Sequence, residues 1–480
     1  MIAASLGAFG IAAVLLWIAP RAFAGRRAAE LGVIASLVSL VELARIPTGR
    51  PGALWAEVDH SWIAPLAVRF HVGVDEVSWP LALLTAILTL ACCVWLWQSE
   101  TSPGLVALVM VIAAASIGVF VAQDLLLFFI FFELALIPMW FVVARWGDPG
   151  LSGDQARRAA TKFLLFTVTG SALLLVGIVI VGLQARSLQI GDVRGTQSLA
   201  AAILIALGLA VKVPLVPLHT WLPDAHSKAP TVGSVLLAGI FLKLGTYGLI
   251  RLNVQMLPAS THRLVPWLAV VGVVGIIWAG LACLAQDDLK RLVAYSSIGH
   301  MGFVALALAT MSRTGVLAAV FGSVAHGLIT GLLFFLAGSL KERYGTSSLN
   351  DLGRGLYGRT PWRAVAILVT GLATIGLPGL AGFWGEFLTL RAAYEPASLL
   401  PQRLSVSLMV VATVGIVLAT AYVVRFARLL LQGVPTRLDL DRDLVRREGI
   451  VIIGLLIPIV ALGLFPTLIT ALGPQIGYAP

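Results

Sequence analysis

The chain has 480 residues, of which 59% are hydrophobic and 12% charged, with a mean hydropathy of +0.97. A soluble protein carries about 25% charged residues, and runs of roughly 20 apolar residues recur along the whole length, so the composition excludes a soluble domain and specifies an all-α polytopic membrane protein. The net charge of +10 is spread over short loops with no basic arm or finger motif, which excludes a nucleic-acid partner and leaves charge that orients helices in a bilayer.

In chain order, the first apolar stretch ends near Ala22-Phe23-Ala24, a triplet that mimics a signal-peptidase site. No Lys or Arg precedes the stretch, whereas Arg21, Arg26 and Arg27 follow it. That flank pattern predicts a retained first helix entering from outside. Fourteen spans are expected near 1–19, 29–46, 78–97, 104–121, 123–144, 160–185, 198–218, 230–250, 264–284, 290–310, 315–340, 362–394, 405–427 and 449–473, the twelfth overlong and interrupted. The longest loop, 47–77, contains Trp55 and Trp62 and is expected to lie along the surface. With both termini outside, cytoplasmic loops and flanks hold 21 basic residues, among them Arg157, Arg158, Lys341, Arg343, Arg437, Arg446 and Arg447, and outer loops hold 10. This two-to-one bias predicts an N-out, C-out topology. Two of the 33 basic residues, Lys212 and Lys243, belong to neither set.

Those two lysines stand in apolar spans, Lys212 in AAILIALGLAVKVPLVPL and Lys243 in VGSVLLAGIFLKLGTYGLI. Glu133 does the same in DLLLFFIFFELALIPMWFVVA, and Glu386 follows an interruption in ATIGLPGLAGFWGEFLTL. A charge at mid-bilayer costs a few kcal/mol on insertion scales and more in simulations, so such residues face a bundle interior or a water-filled path. A static Glu133–Lys212 pair that only locks helices is the plainer reading. It stabilises poorly because desolvation offsets the attraction, and it leaves Lys243 and Glu386 unexplained. A proton relay accounts for all four, since burial and neighbouring charge tune how tightly such groups hold a proton.

Helix breakers accompany the charges. Pro214, Pro217 and Pro223 come after Lys212, and Gly376-Leu377-Pro378-Gly379 precedes Glu386, about five spans later. Proline removes a backbone donor and opens the helix, and irregular backbone at membrane depth needs protein or water to satisfy it. Simple packing kinks remain the alternative for the prolines alone. Broken helices in corresponding places of two halves point to an inverted-repeat transporter with a midplane path. The expected division is 1–103 for the first three helices with the outer loop, 104–252 for the first repeat, 263–430 for the second, and 431–480 for a cytoplasmic loop and the last helix. His219 and His226 flank the first break, while His300 in AYSSIGHMGF and His326 in GSVAHGLITGLLFF lie in neighbouring spans. Histidine receives and passes protons near neutrality; a hydrogen-bonded packing role is the alternative for any one of them. His60, His71 and His262 fall in outer loops and carry no expectation. Cys92, Cys93 and Cys283 lack CxxC spacing, no set of residues has metal-ligand spacing, and no phosphate-binding glycine loop occurs, so no redox centre is expected in this chain.

The motifs FFELALIPMWF, HTWLPDAHSKAPTVGSVLLAGIFLKLGTYGLIR, AYSSIGHMGF and GLPGLAGFWGEFLTL together resemble the antiporter-like membrane subunits of proton-translocating NADH:quinone oxidoreductase (complex I), the M type in particular. The resemblance covers about residues 75–430, and the first 70 residues carry none of its motifs. It implies fourteen helices with two inverted five-helix repeats, each containing a broken helix. It also implies roles: Glu133 pairs with Lys212, Lys243 is the central lysine, Glu386 faces the outer exit, and His219, His300 and His326 line the axis between. An acidic residue at 386 matches the M type, where related subunits tend to have lysine. The implied partners are the L-type and N-type membrane subunits, with FMN, iron–sulfur clusters and quinone in other subunits, and the implied location is the bacterial inner membrane. Mrp-type or membrane-hydrogenase-type cation/proton antiporter subunits share these motifs and form the alternative. A scaffold with an inactive channel would have no need of the four intact charges.

Overall fold

The computed structural model describes residues 1–49, 52–98, 100–147, 153–352, 354–395, 399–433 and 443–473. Arg437 and most of the expected loop after residue 431 lie outside them. Among the described residues, sixteen helices carry the fold: α1 (Ile2–Ile18), α2 (Arg26–Ala44), α3 (Ser78–Trp95), α4 (Pro103–Val121), α5 (Leu125–Trp146), α6 (Gly153–Ala185), α7 (Leu199–Lys212), α8 (Trp221–Lys228), α9 (Thr231–Met256), α10 (Val265–Leu284), α11 (Leu289–Ala309), α12 (Arg313–Tyr344), α13 (Pro361–Thr374), α14 (Ala381–Tyr394), α15 (Gln402–Leu431) and α16 (Arg446–Leu464). Ten helices among the described residues are long and apolar enough to cross a membrane, and α1, α7 and α13 are shorter apolar helices. Their ends obey capping chemistry. Asp124 accepts from the Leu126 and Leu127 amides at the start of α5, Ser312 from Gly315 N at the start of α12, and Gly345 closes α12 in the left-handed conformation.

Helix α9 is buried along its entire length, with α11 and α12 nearly so, whereas α15 shows most of its surface. Exposed apolar residues such as Trp17, Leu183, Trp267 and Val417 are the lipid-facing side of that arrangement, since lipid rewards apolar surface as a protein core does. A charge can survive in α9 because protein surrounds it on all sides.

The all-α expectation omitted one element. Residues of the 47–77 loop form an antiparallel hairpin, β1 (Trp55–Ile63) and β2 (Val68–Val74), with Val58 opposite Val72 and Asp59 opposite His71. Apolar residues alternate in VRFHVGV, which is the strand period. Most of β1 is exposed, as a surface loop should be, and β2 is anchored through a Gln123 N to His71 O bond of 2.9 Å.

Both expected breaks occur. Helix α7 ends at Lys212, residues 213–220 are irregular, and the chain returns to helix in α8, where the sequence alone suggests only a connection. Trp221 Nε1 donates to the freed Val211 carbonyl at 3.0 Å. The second break runs from Thr374 to Ala381, with φ of +68° at Gly376 and +93° at Gly379.

One arrangement occurs twice. Asp124 caps α5 while its strand pairs with the loop after α6, through Leu125 N to Leu188 O (2.8 Å) and Ile190 N to Gln123 O (2.9 Å). Asp288 caps α11 while its strand pairs with the loop after α12, through Leu289 N to Ser347 O (2.8 Å) and Leu349 N to Asp287 O (2.7 Å). The two lie at opposite ends of α9: the loop after α6 donates Gly195 N to Met256 O (3.1 Å) at its end, and Lys290 Nζ donates to Ala229 O (2.9 Å) just before its start.

Candidate functional site

Helix α9 widens around Lys243. The segments Leu237–Phe241 and Leu249–Met256 are π-helical, a distortion frequent at functional sites. The first wide turn presents the Ala238 carbonyl to Lys243, whose Nζ donates to it at 2.6 Å and to His326 Nδ1 at 2.5 Å. Lys243 is completely buried. A His326 ring that accepts at Nδ1 carries its proton on Nε2, and Nε2 meets no hydrogen-bond partner among the described residues.

His326 and His300 have ring centroids 5.5 Å apart. His300 Nδ1 lies 2.8 Å from the Ser296 carbonyl, and Nε2 lies 3.1 Å from the Thr374 carbonyl and 3.7 Å from Glu386 Oε1. A neutral imidazole can donate to only one of these carbonyls, whereas a protonated ring donates to both. The Thr374 carbonyl is free because α13 breaks there, so the interruption supplies an acceptor to the histidine. The break also makes room for the carboxylate: a Cβ at Gly376 would lie 2.6 Å from Glu386 Oε2.

Two small cavities adjoin these groups. One, of about 30 Å³, is lined by His300, His326, Thr330, Thr374, Glu386 and Thr389. The other, of about 20 Å³, is lined by Ser296, His300, Glu386 and Tyr422. Each exceeds the roughly 10–15 Å³ that one water needs, and each offers polar partners. Lys243, His326, His300 and Glu386 thus form one contiguous series, with room for water at its far end.

Lys212 and Glu133 stand differently. Lys212 is buried at the end of α7, packed so closely on α9 that a Cβ at Gly245 would lie 3.1 Å from its own Cβ. Its Nζ makes no hydrogen bond among the described residues and lies over the Phe132 and Phe241 rings at 4.4 and 4.9 Å. Glu133, next to Phe132 on α5, has Oε1 buried without a hydrogen bond, and it is the charge acting on Lys212 across the gap. The expected pair is therefore open, with aromatic faces holding the ammonium. His219 lies apart from the series, in the first break, where it accepts from Trp278 Nε1 on α10 at 3.3 Å.

Sequence reasoning placed His226 beside the first break without naming it among the relay residues, and gave Tyr422 no role. His226 is fully buried, stacked on Phe334 with centroids 4.5 Å apart, and neither ring nitrogen has a hydrogen-bond partner among the described residues; its place beside the first break was the available signal. Tyr422 sits in an otherwise ordinary apolar span and gave none. No group of three or more His, Cys, Asp or Glu among the described residues could hold a metal ion, and the three cysteines are buried and free.

The family described as NADH:quinone oxidoreductase/Mrp antiporter, transmembrane, matches residues 122–429. The chain is 40% identical over 426 residues to NAD(P)H-quinone oxidoreductase chain 4 of Synechococcus sp. (strain JA-3-3Ab), covering 86% of this chain and 79% of that one. It is 35% identical over 470 residues to NADH-quinone oxidoreductase subunit M of Rhodobacter capsulatus, covering 93% and 88%. Among solved structures, a chain of respiratory complex I from Thermus thermophilus with bound NADH superposes with a TM-score of 0.87 at 26% identity, over 98% of both chains.

Proposed function

Since the chain belongs to the NADH:quinone oxidoreductase/Mrp antiporter membrane family, as an M-type (chain 4) antiporter-like subunit of complex I, we propose that its buried charges carry the proton that this enzyme moves across the membrane. The protein is a proton-translocating membrane subunit of NADH:quinone oxidoreductase. In the proposed path a proton enters near the first break, by way of His219, and loads Lys212. A carboxylate close to a buried ammonium stabilises it, and one drawn away releases it, so movement of Glu133 under a neighbouring subunit's charge discharges Lys212 toward Lys243. From there the proton passes to His326, His300 and Glu386 and leaves on the outer side. The observation that carries this reading is the contiguous series of Lys243, His326, His300 and Glu386, hydrogen-bonded at its first step, with rings 5.5 Å apart at its second and 3.7 Å separating the groups at its third, beside cavities large enough for water.

Moving one proton against roughly 200 mV requires about 4.6 kcal/mol, equivalent to between three and four units of proton affinity at about 1.4 kcal/mol each. Burial and one displaced counter-charge supply changes of that size. The redox step belongs to partner subunits holding FMN, iron–sulfur clusters and quinone, and the L-type and N-type subunits are the expected neighbours in the bacterial inner membrane. Fourteen crossings with N-out and C-out topology, and inverted repeats at 104–252 and 263–430, complete the proposal. They are supported by the two broken helices and by the capped strand pairs of Asp124 and Asp288 at opposite ends of α9. The Mrp alternative is disfavoured because the relatives at 35–40% identity are quinone oxidoreductase subunits.

Replacing Lys243 or Glu133 by Ala in the assembled complex, reconstituted in vesicles, is expected to cut proton pumping to roughly a tenth or less, a barrier change of about 1.4 kcal/mol or more. Undiminished pumping at normal assembly would overturn the relay.

A further inference from the structure

Lys243, Tyr247, Arg251 and Gln255 recur every four residues and so share one face of α9, which leads from the buried lysine toward the hairpin end of the molecule. Eight residues of helix span roughly 12 Å, so the direct way out from Lys243 is short. Yet every polar atom along it is engaged. The Tyr247 hydroxyl donates to the Phe120 carbonyl at 2.8 Å and accepts from Arg251 Nε at 3.2 Å. Arg251 Nη1 donates to Gln255 Oε1 at 2.8 Å, and Nη2 donates to Asp75 Oδ2. Asp75 Oδ1 accepts from the amides of Val77 (3.1 Å) and Ser78 (2.9 Å). Arg251 is 4% exposed and Asp75 6%. Burial alone would push the Asp75 carboxyl up, but the Arg251 guanidinium and the contacts with Ser78 and Val77 hold it below the ordinary carboxylate range, so the pair is ionised.

A buried ion pair contributes little net stability, and Arg at membrane depth is costly. The pair must therefore do something that an apolar plug of the same volume would not secure once water enters. A guanidinium does not give up its proton at any physiological pH, and a fixed positive charge repels an approaching one, as in pores that pass water and exclude protons. Tyr247, with both hydroxyl positions occupied, offers Lys243 no acceptor.

On the reading of Lys243 as a relay group, we propose that Arg251, anchored by Asp75, is an electrostatic stopper that closes the direct route from Lys243 to the hairpin face and forces the proton sideways to His326 and Glu386. It positions the path without touching the transferred proton. The stopper explains why the series from Lys243 turns laterally although its own helix reaches the surface a few turns away. An open direct route would let protons run back through Lys243 and short-circuit the pump.

The test measures the decay of an imposed pH gradient, without NADH, in vesicles holding the assembled complex. Arg251→Gln with Asp75→Asn removes both charges and strands neither, so assembly should survive; gradient decay is expected to accelerate several-fold, and adding Lys243→Ala should restore the original rate. Arg251→Lys, which replaces the guanidinium by an ammonium able to release its proton, should also leak faster than the wild type. Wild-type decay in the neutralised double variant, or a leak that persists without Lys243, overturns the stopper, because a merely structural defect would leak regardless of Lys243. Should Lys243→Ala alone pump normally, the relay reading fails first, which separates the two results.

Discussion

A methyl group at Gly376 would meet Glu386 Oε2 at 2.6 Å, and the backbone there has φ of +68°. An L-residue in that conformation costs about 1–2 kcal/mol, and the carboxylate, being the movable partner, must swing away from the break and from His300. Gly376→Ala is therefore expected to lower pumping in the assembled complex while leaving the apparent KM for NADH unchanged, with a small fall in thermal stability of the subunit. Pumping that matches the wild type would mean that the position of the carboxylate does not matter. The same site marks the limit of what single residues disclose. Lys212, Lys243, Glu133 and Glu386 were legible because a charge inside an apolar run is a physical anomaly that only structure or function explains. The direct contact of Lys243 with His326, 83 residues away, and the Thr374 carbonyl facing His300, were not, because no local pattern records which helices touch. Nor does sequence say that Lys212 Nζ rests over the Phe132 and Phe241 rings without a hydrogen bond to Glu133, since that depends on side-chain placement.

At the scale of elements, proline and glycine announced both interruptions, yet not the conformation the chain takes up beyond them. The short α8 after the first break carries Pro223, which reads as continuing irregularity but is tolerated in a helix's first turn, where its missing N–H costs nothing. The hairpin was missed because most of β1 is exposed, so WAEVDHSWI shows no apolar alternation and reads as a polar surface loop. Helix α16 shows how an element is fixed at its end. Glu448 in its first turn accepts from Arg343 Nη2 (2.8 Å), Arg363 Nη2 (3.0 Å), Val445 N (3.0 Å) and Ser339 Oγ (2.6 Å), tying α16 to the end of α12 and the start of α13. Removing one member of such a buried network leaves an uncompensated charge, at a cost of about 3–5 kcal/mol. Glu448→Ala should accordingly raise hydrogen exchange in the first turns of α16 and α13 and lower the unfolding temperature. Ser339→Ala, which loses one hydrogen bond to a charged group, should cost about 1.5–3 kcal/mol. Equal effects of the two variants would show that the arginines find another partner and that the network is not cooperative.

For the whole molecule the decisive quantity is which ends of the helices share a side. Helix α9 has 26 residues, long enough at about 1.5 Å per residue to cross a hydrocarbon core of roughly 30 Å, and it is buried throughout. Whatever lies at its two ends is then separated by the membrane. The loop after α6, with Arg194, sits at the hairpin end beside Met256, whereas the loop after α12, with Asn350, sits with Asp288 at the other. The same capped strand pairing at both ends is what two copies of one five-helix unit in opposite orientation would produce, and in the proposed N-out, C-out topology the hairpin end lies outside, opposite the end richer in Lys and Arg. Cys92, Cys93 and Cys283 are buried, so a membrane-impermeant thiol reagent has little native background. Arg194 and Asn350 are both exposed, and single cysteines there should label from opposite sides: Arg194→Cys in intact cells, Asn350→Cys only in inverted vesicles. Labelling of both from one side would remove the inverted repeat and, with it, a path that enters at one break and leaves at the other. Labelling from opposite sides in the reversed sense would keep the repeat and the charge series but run the proposed transfer the wrong way, placing the Arg251 stopper at the entrance.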